Sequence, residues 1–284
     1  MPVISIENEY NNQLKLTQNE KRWQVTSMTG LNSPPAAISS SVVPTFDGER
    51  FNSARLEARN IVITLAINGN AETNRMALNK VILPKRYIKI YYRNNSLNLY
   101  IEGYVESFEY DVYADNKIIA QASIICPDPY WKDTEQTGAQ LMPVVNLFEF
   151  PFSLPEEGIA LSELLTITGA SITNQGTIQA GLNITIEAGN EVLNPYIINA
   201  TTGEKMLLHT EMTKGDVITI NTTRGNKYIR MYKDGATQNI INDMDENSQW
   251  ISLAIGENSF TYGAEYGAEN ITVRIEYRNQ YGGV

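Results

Sequence analysis

The residues best suited to chemistry lie in one short acidic run, Asp243-Met244-Asp245-Glu246-Asn247-Ser248. Carboxylates at alternate positions followed by Asn open a calcium loop, in which oxygen ligands converge on a hard cation. An EF-hand loop then requires Gly at its sixth position and Glu at its twelfth. Ser248 and Ala254 stand there instead, so a solvated turn is the better reading and no metal site is assigned. Glu156-Glu157 is a second carboxylate pair. A glycosidase needs two carboxyls across a cleft, one of them held protonated, and nothing in the sequence signals that arrangement. The single histidine, His209 in MLLHTEM, reads as a half-buried strand residue. The single cysteine, Cys126, can form neither an internal disulfide nor a Cys-rich zinc site. Nucleotide, zinc-protease and nucleophile-elbow motifs are absent. The reading is therefore a chain with no catalytic residues and no cofactor. Tyr228, Tyr232, Trp250 and Tyr262 could stack on pyranose rings, but most lie in alternating strands, which favours core or interface.

The elements that would carry these residues are mostly strands. In RNIVITLAI, Ile61, Ile63, Leu65 and Ile67 share one face, which predicts a strand covered on both sides. Asn68-Gly69-Asn70 breaks it, and AETNRMALNKVI (71–82) has helical spacing at Met76, Leu78, Val81 and Ile82. Pro84 ends that helix. YIKIYYR (87–93) and LNLYIEGYVESFEYDVY (97–113) predict a hairpin with a bulge or bend at Gly103. Ile118, Ala120, Ala122, Ile124 and Cys126 form one apolar stripe, so Cys126 reads as a small buried hydrophobe. Pro127 and Pro129 cannot donate ladder hydrogen bonds and mark the exit from a first domain, 1–135. In the remainder, 136–284, FEFPFSLPEEG (148–158) reads as an irregular edge, with one helical turn allowed within 155–165. Short strands then recur between Gly, Asn, Pro and Asp, among them QWISLAIGEN, and predict a β-sandwich.

Composition agrees with a folded, mainly β chain. It is 42% hydrophobic and 19% charged, which excludes disorder. No apolar run is long enough to cross a bilayer as a helix, and no signal peptide is expected. Residues 1–133 carry 14 basic and 14 acidic side chains, whereas 134–284 carry 8 and 18. The second half should therefore repel nucleic acid and anionic membrane, and the first has no net charge with which to bind either.

The order and spacing of several segments resemble one family. WQVTSMTGLNSPPA (23–36), DGERFNSARLEARNIVITLAINGN (47–70), NRMALNKVILPKRYIKIYYRNNSLNLYIEGYVE and QASIICPDPYW are similar to the distal tail protein (Dit) of long-tailed bacteriophages. FEFPFSLPEEGIALSE, NPYIINATTG, KGDVITIN, SQWISLAIGEN and YRNQYGGV resemble its second domain. The resemblance implies a β-sandwich or split-barrel-like first domain with one helix and an arm-like hairpin reaching a neighbouring subunit. It implies a galectin-like β-sandwich for the second.

It also implies a virion protein of the tail tip, made in the host cytoplasm, that forms a homohexameric ring. The implied partners are the tail tube protein and the tail-associated lysin or hub protein. The tape measure and receptor-binding proteins are further candidates, and DNA would pass through the lumen unbound. A ring needs a head-to-tail interface that closes, and the 87–113 hairpin is long for a lone core. Tyr91, Arg93, Asn94, Leu97, Leu99 and Tyr100 are accordingly expected at the ring contact, with Trp23–Pro35 helping to shape it. The alternative is a carbohydrate-binding module attaching the tip to cell-wall glycans.

Overall fold

A computed structural model describes residues 2–16, 21–45, 47–112, 118–141 and 167–284. The chain is mainly β, with a single α-helix among the described residues. Two compact units result, Met1–Thr134 with Gln280–Val284, and Glu135–Asn279. Residues 280–284, expected with the second half, thus pack into the first unit.

In the first unit the strands are β1 (Val3–Asn8), β2 (Gln13–Lys15), β3 (Trp23–Thr29), β4 (Ala36–Val42), β5 (Glu49–Leu56) and β6 (Arg59–Ile67). The helix α1 (Ala71–Asn79) follows, then β7 (Tyr87–Arg93), β8 (Asn98–Val112), β9 (Ile118–Cys126) and β10 (Trp131–Asp133). The main sheet has the order β2-β1-β7-β8-β9-β6-β3 and every described pairing in it is antiparallel. Alternation puts Ile61, Ile63 and Leu65 of β6 into one core with Ile88 and Ile90 of β7 and Ala120, Ala122 and Ile124 of β9. The helical segment adds only Leu78, Val81 and Ile82 to the buried set, so most of the core comes from strands of the main sheet. Cys126 is in that core, and burial pushes its thiol up to about 12, too high for a reactive thiolate.

Two local expectations change. The helix stops at Asn79, and Met76 is exposed. Asn70 opens the helix by accepting a hydrogen bond from the Thr73 N–H, and the Lys80 carbonyl beyond its end is capped by Asn8 Nδ2 and by Arg86. The irregularity in β8 falls between Val105 and Ser107, while Gly103 pairs regularly with Ile88. Glycine is required there by close approach: a Cβ would stand 2.8 Å from Cys126 Sγ and from the Ile125 carbonyl.

The second unit holds β11 (Thr137–Leu141), β12 (Ile167–Asn174), β13 (Leu182–Ala188), β14 (Val192–Leu193), β15 (Tyr196–Asn199), β16 (Glu204–Leu207) and β17 (Glu211–Met212). It continues with β18 (Val217–Asn221), β19 (Tyr228–Lys233), β20 (Ala236–Asn239), β21 (Gly256–Gly263) and β22 (Ile271–Tyr277). A six-stranded sheet, β11-β22-β13-β18-β19-β20, and a four-stranded sheet, β12-β21-β15-β16, share one core. Ile184, Ile220 and Ile275 from the first meet Ile197, Phe260 and Tyr262 from the second. The unit is a two-sheet sandwich.

Gln249–Ile255, expected as a strand, makes only one isolated bridge, between Leu253 and Ala180. Ile251 and Leu253 are buried as alternation demands, but side chains take the place of a ladder. Asn258 accepts from the Ala254 N–H and donates to the Ala254 carbonyl, Asn199 donates to the Ser252 carbonyl, and Glu204 accepts from the Ser252 N–H and hydroxyl. The expected irregular edge at 148–158 and helical turn within 155–165 lie outside the described residues.

Candidate assembly surface

β4 and β5 form a two-stranded sheet of their own. Their register runs Ala36↔Leu56, Ile38↔Ala54, Ser40↔Phe51 and Val42↔Glu49, with an irregularity between Ser39 and Ser40. Directly paired residues share a face. One face of the hairpin therefore carries Ala36, Ile38, Val42, Phe51, Ala54 and Leu56, with Ser40 beside Phe51 and Glu49 beside Val42. The other carries Ala37 with Arg55, Ser39 with Ser53, and Ser41 with Arg50. The apolar face is not folded into the core: Ile38, Val42 and Phe51 are 68%, 72% and 62% exposed. Large exposed side chains gathered on one face mark a surface that another molecule covers. Ser40 to Glu49 and Ser41 to Asn52 at 3.3 Å tie the two strands together.

The hairpin expected to reach a neighbour, 87–113, is central instead. β7 is paired with β1 on one side and β8 on the other, and β8 is paired with β7, β9 and β10. The β7 pairing of β8 covers Asn98–Tyr104, and its β9 pairing covers Tyr104–Val112. Leu99 is fully buried, and Leu97 packs against the same core. The Tyr91 hydroxyl donates to Glu7 at 2.9 Å, and burial together with that carboxylate pushes its pKa up to about 12. Tyr100 lies 6.2 Å from the Tyr91 ring, with Lys89 over its face. Asn94 Oδ1 accepts from the Ser96 and Leu97 N–H groups and so builds the turn. Arg93 is exposed, and its backbone pairs with Val3 and Asn98. Trp23, at the start of the segment expected to shape a ring, has its side chain wholly in the core.

The four aromatics of the second unit do not form one platform. Tyr262 is a core residue on the inner face of β21, its hydroxyl directed at the Ile271 carbonyl. Trp250 packs against that core beneath Lys227. Tyr228 and Tyr232 share the outer face of β19, with the Arg230 guanidinium 4.4 Å from the Tyr228 ring. In the acidic run, Asp245 accepts from the Asn247 N–H and meets His209 Nε2 at 2.9 Å. The hydrogen bond from His209 holds the Asp245 carboxyl below its usual range. His209 is thus an exposed partner of this turn, not a half-buried strand residue. No group of three or more possible metal-ligating His, Cys, Asp or Glu side chains occurs among the described residues.

Comparison with known proteins bears on this arrangement directly. Residues 175–281 match the family model of the siphovirus-type tail component, C-terminal domain. The chain has the fold of the Dit protein of phage SPP1, whose crystal structure presents that protein as a hub of the adsorption apparatus in phages infecting Gram-positive bacteria. That likeness covers 98% of this chain and 99% of the other, with a TM-score of 0.69 at 11% identity. A chain of the phage P2 baseplate in its activated conformation is similar over 100% of both chains, with a TM-score of 0.51 at 10% identity. No curated protein sequence matches the chain.

In the first unit the central strands are fastened across the outer face of the sheet by Glu102. Tyr87 donates to it at 2.6 Å, and Lys89 and Lys132 each lie 3.5 Å away. Burial alone would raise the Glu102 pKa, but the Tyr87 hydrogen bond and the two lysines outweigh it, and the net shift is downward. Burial likewise opposes the charge on Lys132, yet Asp128 at 2.8 Å and Glu102 raise its pKa overall. A carboxyl depressed by folding stabilises above its unfolded value and loses that contribution as pH falls through the folded one. A raised lysine contributes fully below its unfolded value and loses that contribution as pH rises through the folded one. The first unit should therefore melt at a constant temperature through neutral pH. Its midpoint should fall as pH drops below the 4.5 of an unperturbed glutamate. Calorimetry of Glu102→Gln should show a lower neutral midpoint and a shallower acid limb; an unchanged acid limb would mean that Glu102 is not the group responsible.

Proposed function

We propose that this chain is a structural hub of the phage tail tip, in which copies close into a six-membered ring. The ring joins the tail tube to the tail-associated lysin or hub protein. The tape measure and receptor-binding proteins are further partners. The observation that carries the reading is the likeness to a hub protein along nearly the whole length of both chains. Local structure supports it. A closed ring requires each copy to present two different surfaces, one fitting the other on its neighbour. The apolar face of the β4–β5 hairpin is a surface of this kind, and it replaces residues 91–100 as the contact we assign. The first unit has almost no net charge, so a lumen built from it would not hold DNA by its phosphates.

The molecule acts through protein contacts, without catalysis. The carbohydrate-binding alternative is weakened by the burial of Tyr262, which removes one ring from the proposed platform. Light scattering of the purified chain separates the two readings when paired with a pull-down on bacterial cell wall. The hub reading predicts a particle of several chain masses and no retention on wall. A monomer retained on wall, and released by Trp250→Ala, would favour the glycan reading.

A further inference from the structure

Arg59, at the start of β6, is 1% exposed, and its bonded acceptors are main-chain carbonyls. Nε donates to Pro129 at 2.8 Å, Nη1 reaches Gly30 at 2.7 Å together with Leu31 and Asn32, and Nη2 donates to Gly282 at 2.5 Å. A buried charge is tolerated only when its hydrogen bonds are satisfied. The Gly282 acceptor is 223 residues away in the chain. The same segment is held at three further points. Gln280 and Tyr281 pair with Lys132 and Trp131 of β10. The Val284 N–H donates to the Leu31 carbonyl at 3.2 Å. Gly283 runs so close to β3's following loop that a Cβ would stand 2.8 Å from the Ser33 nitrogen. All of these partners lie in the first unit, while the chain between Thr134 and Gln280 builds the second.

We propose that residues 280–284 are a latch that completes the first unit, so that its final fold is reached only after the whole second unit has been synthesised. Until Gly282 arrives, Nη2 lacks its acceptor and one edge of β10 is open. The loop 30–33, whose carbonyls surround the guanidinium, then lacks the Gly283 and Val284 contacts. A chain interrupted anywhere in the second unit leaves the first unit unlatched. The inference stands whether or not the chain forms a ring.

Hydrogen exchange read by mass spectrometry tests it. In the full chain, Arg59→Met should speed exchange of residues 280–284 and 128–133 by about ten-fold or more, as expected when hydrogen bonds from a buried charge are lost. Strands at 182–188 and 217–221 should keep their wild-type rates. A chain ending at Asn279 should show the same loss at 128–133, and a peptide spanning Arg278–Val284 added in trans should restore protection there. The same truncated chain carrying Arg59→Met should not respond to the peptide. Wild-type protection of the first unit in the chain ending at Asn279, or unchanged exchange in the full-length Arg59→Met variant, would overturn the latch.

Discussion

Replacing Val42 and Phe51 together by aspartate should leave the chain monomeric by light scattering while both units melt at their wild-type temperatures. Burying a side chain of this size is worth about 1.5–3 kcal/mol, so each contact between copies should weaken by roughly 3–6 kcal/mol. In a ring that loss recurs at every interface. Stability should hold because neither residue belongs to a core: Val42 and Phe51 are 72% and 62% exposed. The opposite face offers the control. Ser39→Asp and Ser53→Asp alter the same hairpin on its polar side and should leave assembly intact. Equal disruption by both pairs would mean that the hairpin acts through its edges or its charge and not through the apolar face.

The second large effect concerns folding. Trp23 is fully buried in the first unit, and its Nε1 donates to the Lys15 carbonyl at 2.9 Å. Truncation to alanine opens a cavity that the surrounding strands cannot fill and costs about 3–5 kcal/mol. The two cores are separate clusters, so calorimetry should show the first unit's transition lowered by about 10 °C or more and the second's unmoved. A uniform fall of both transitions would show that the units do not unfold independently. Assembly should be lost along with the first unit even though the second stays folded, which distinguishes this variant from the hairpin pair.

Residue alternation carried much of the local structure. The period of two in β6 and β9 placed Ile61, Ile63, Ala122 and Cys126 on the inner face, where they lie. Asn70 opened α1 through a side-chain cap that acts within a few residues, whereas the helix ended at Asn79, well before Pro84. Neighbour relations were not legible in the same way. The pairing of β7 with β8 is local, but their position in the middle of the sheet depends on β1, some eighty residues earlier, and on β9 and β10. A hairpin's periodicity does not reveal whether its outer edges are filled. The hairpin that does stand apart had a weak signal: Ala36, Ile38 and Val42 fall at even positions around Ser39, Ser40 and Ser41, and Asp47-Gly48 separates them from Phe51 and Ala54.

Side-chain hydrogen bonding accounts for the other differences. Gln249–Ile255 has strand-like alternation, yet Asn258, Asn199 and Glu204 take up its backbone groups, and no pattern of polarity announces such a substitution. Tyr262 has the same period as Phe260, which placed it inward, but a tyrosine at the end of a strand is compatible with either core or surface. The approach of His209 to Asp245 spans 36 residues and is set by the path of the intervening strands.

The account rests on copies of this chain meeting through the hairpin to enclose a hollow axis. Electron micrographs of the purified protein, averaged into classes, test this most directly. The prediction is rings of about six units around a central opening, lost in the Val42 and Phe51 double variant. Single particles of one chain at high protein concentration, identical in wild type and variant, would contradict it.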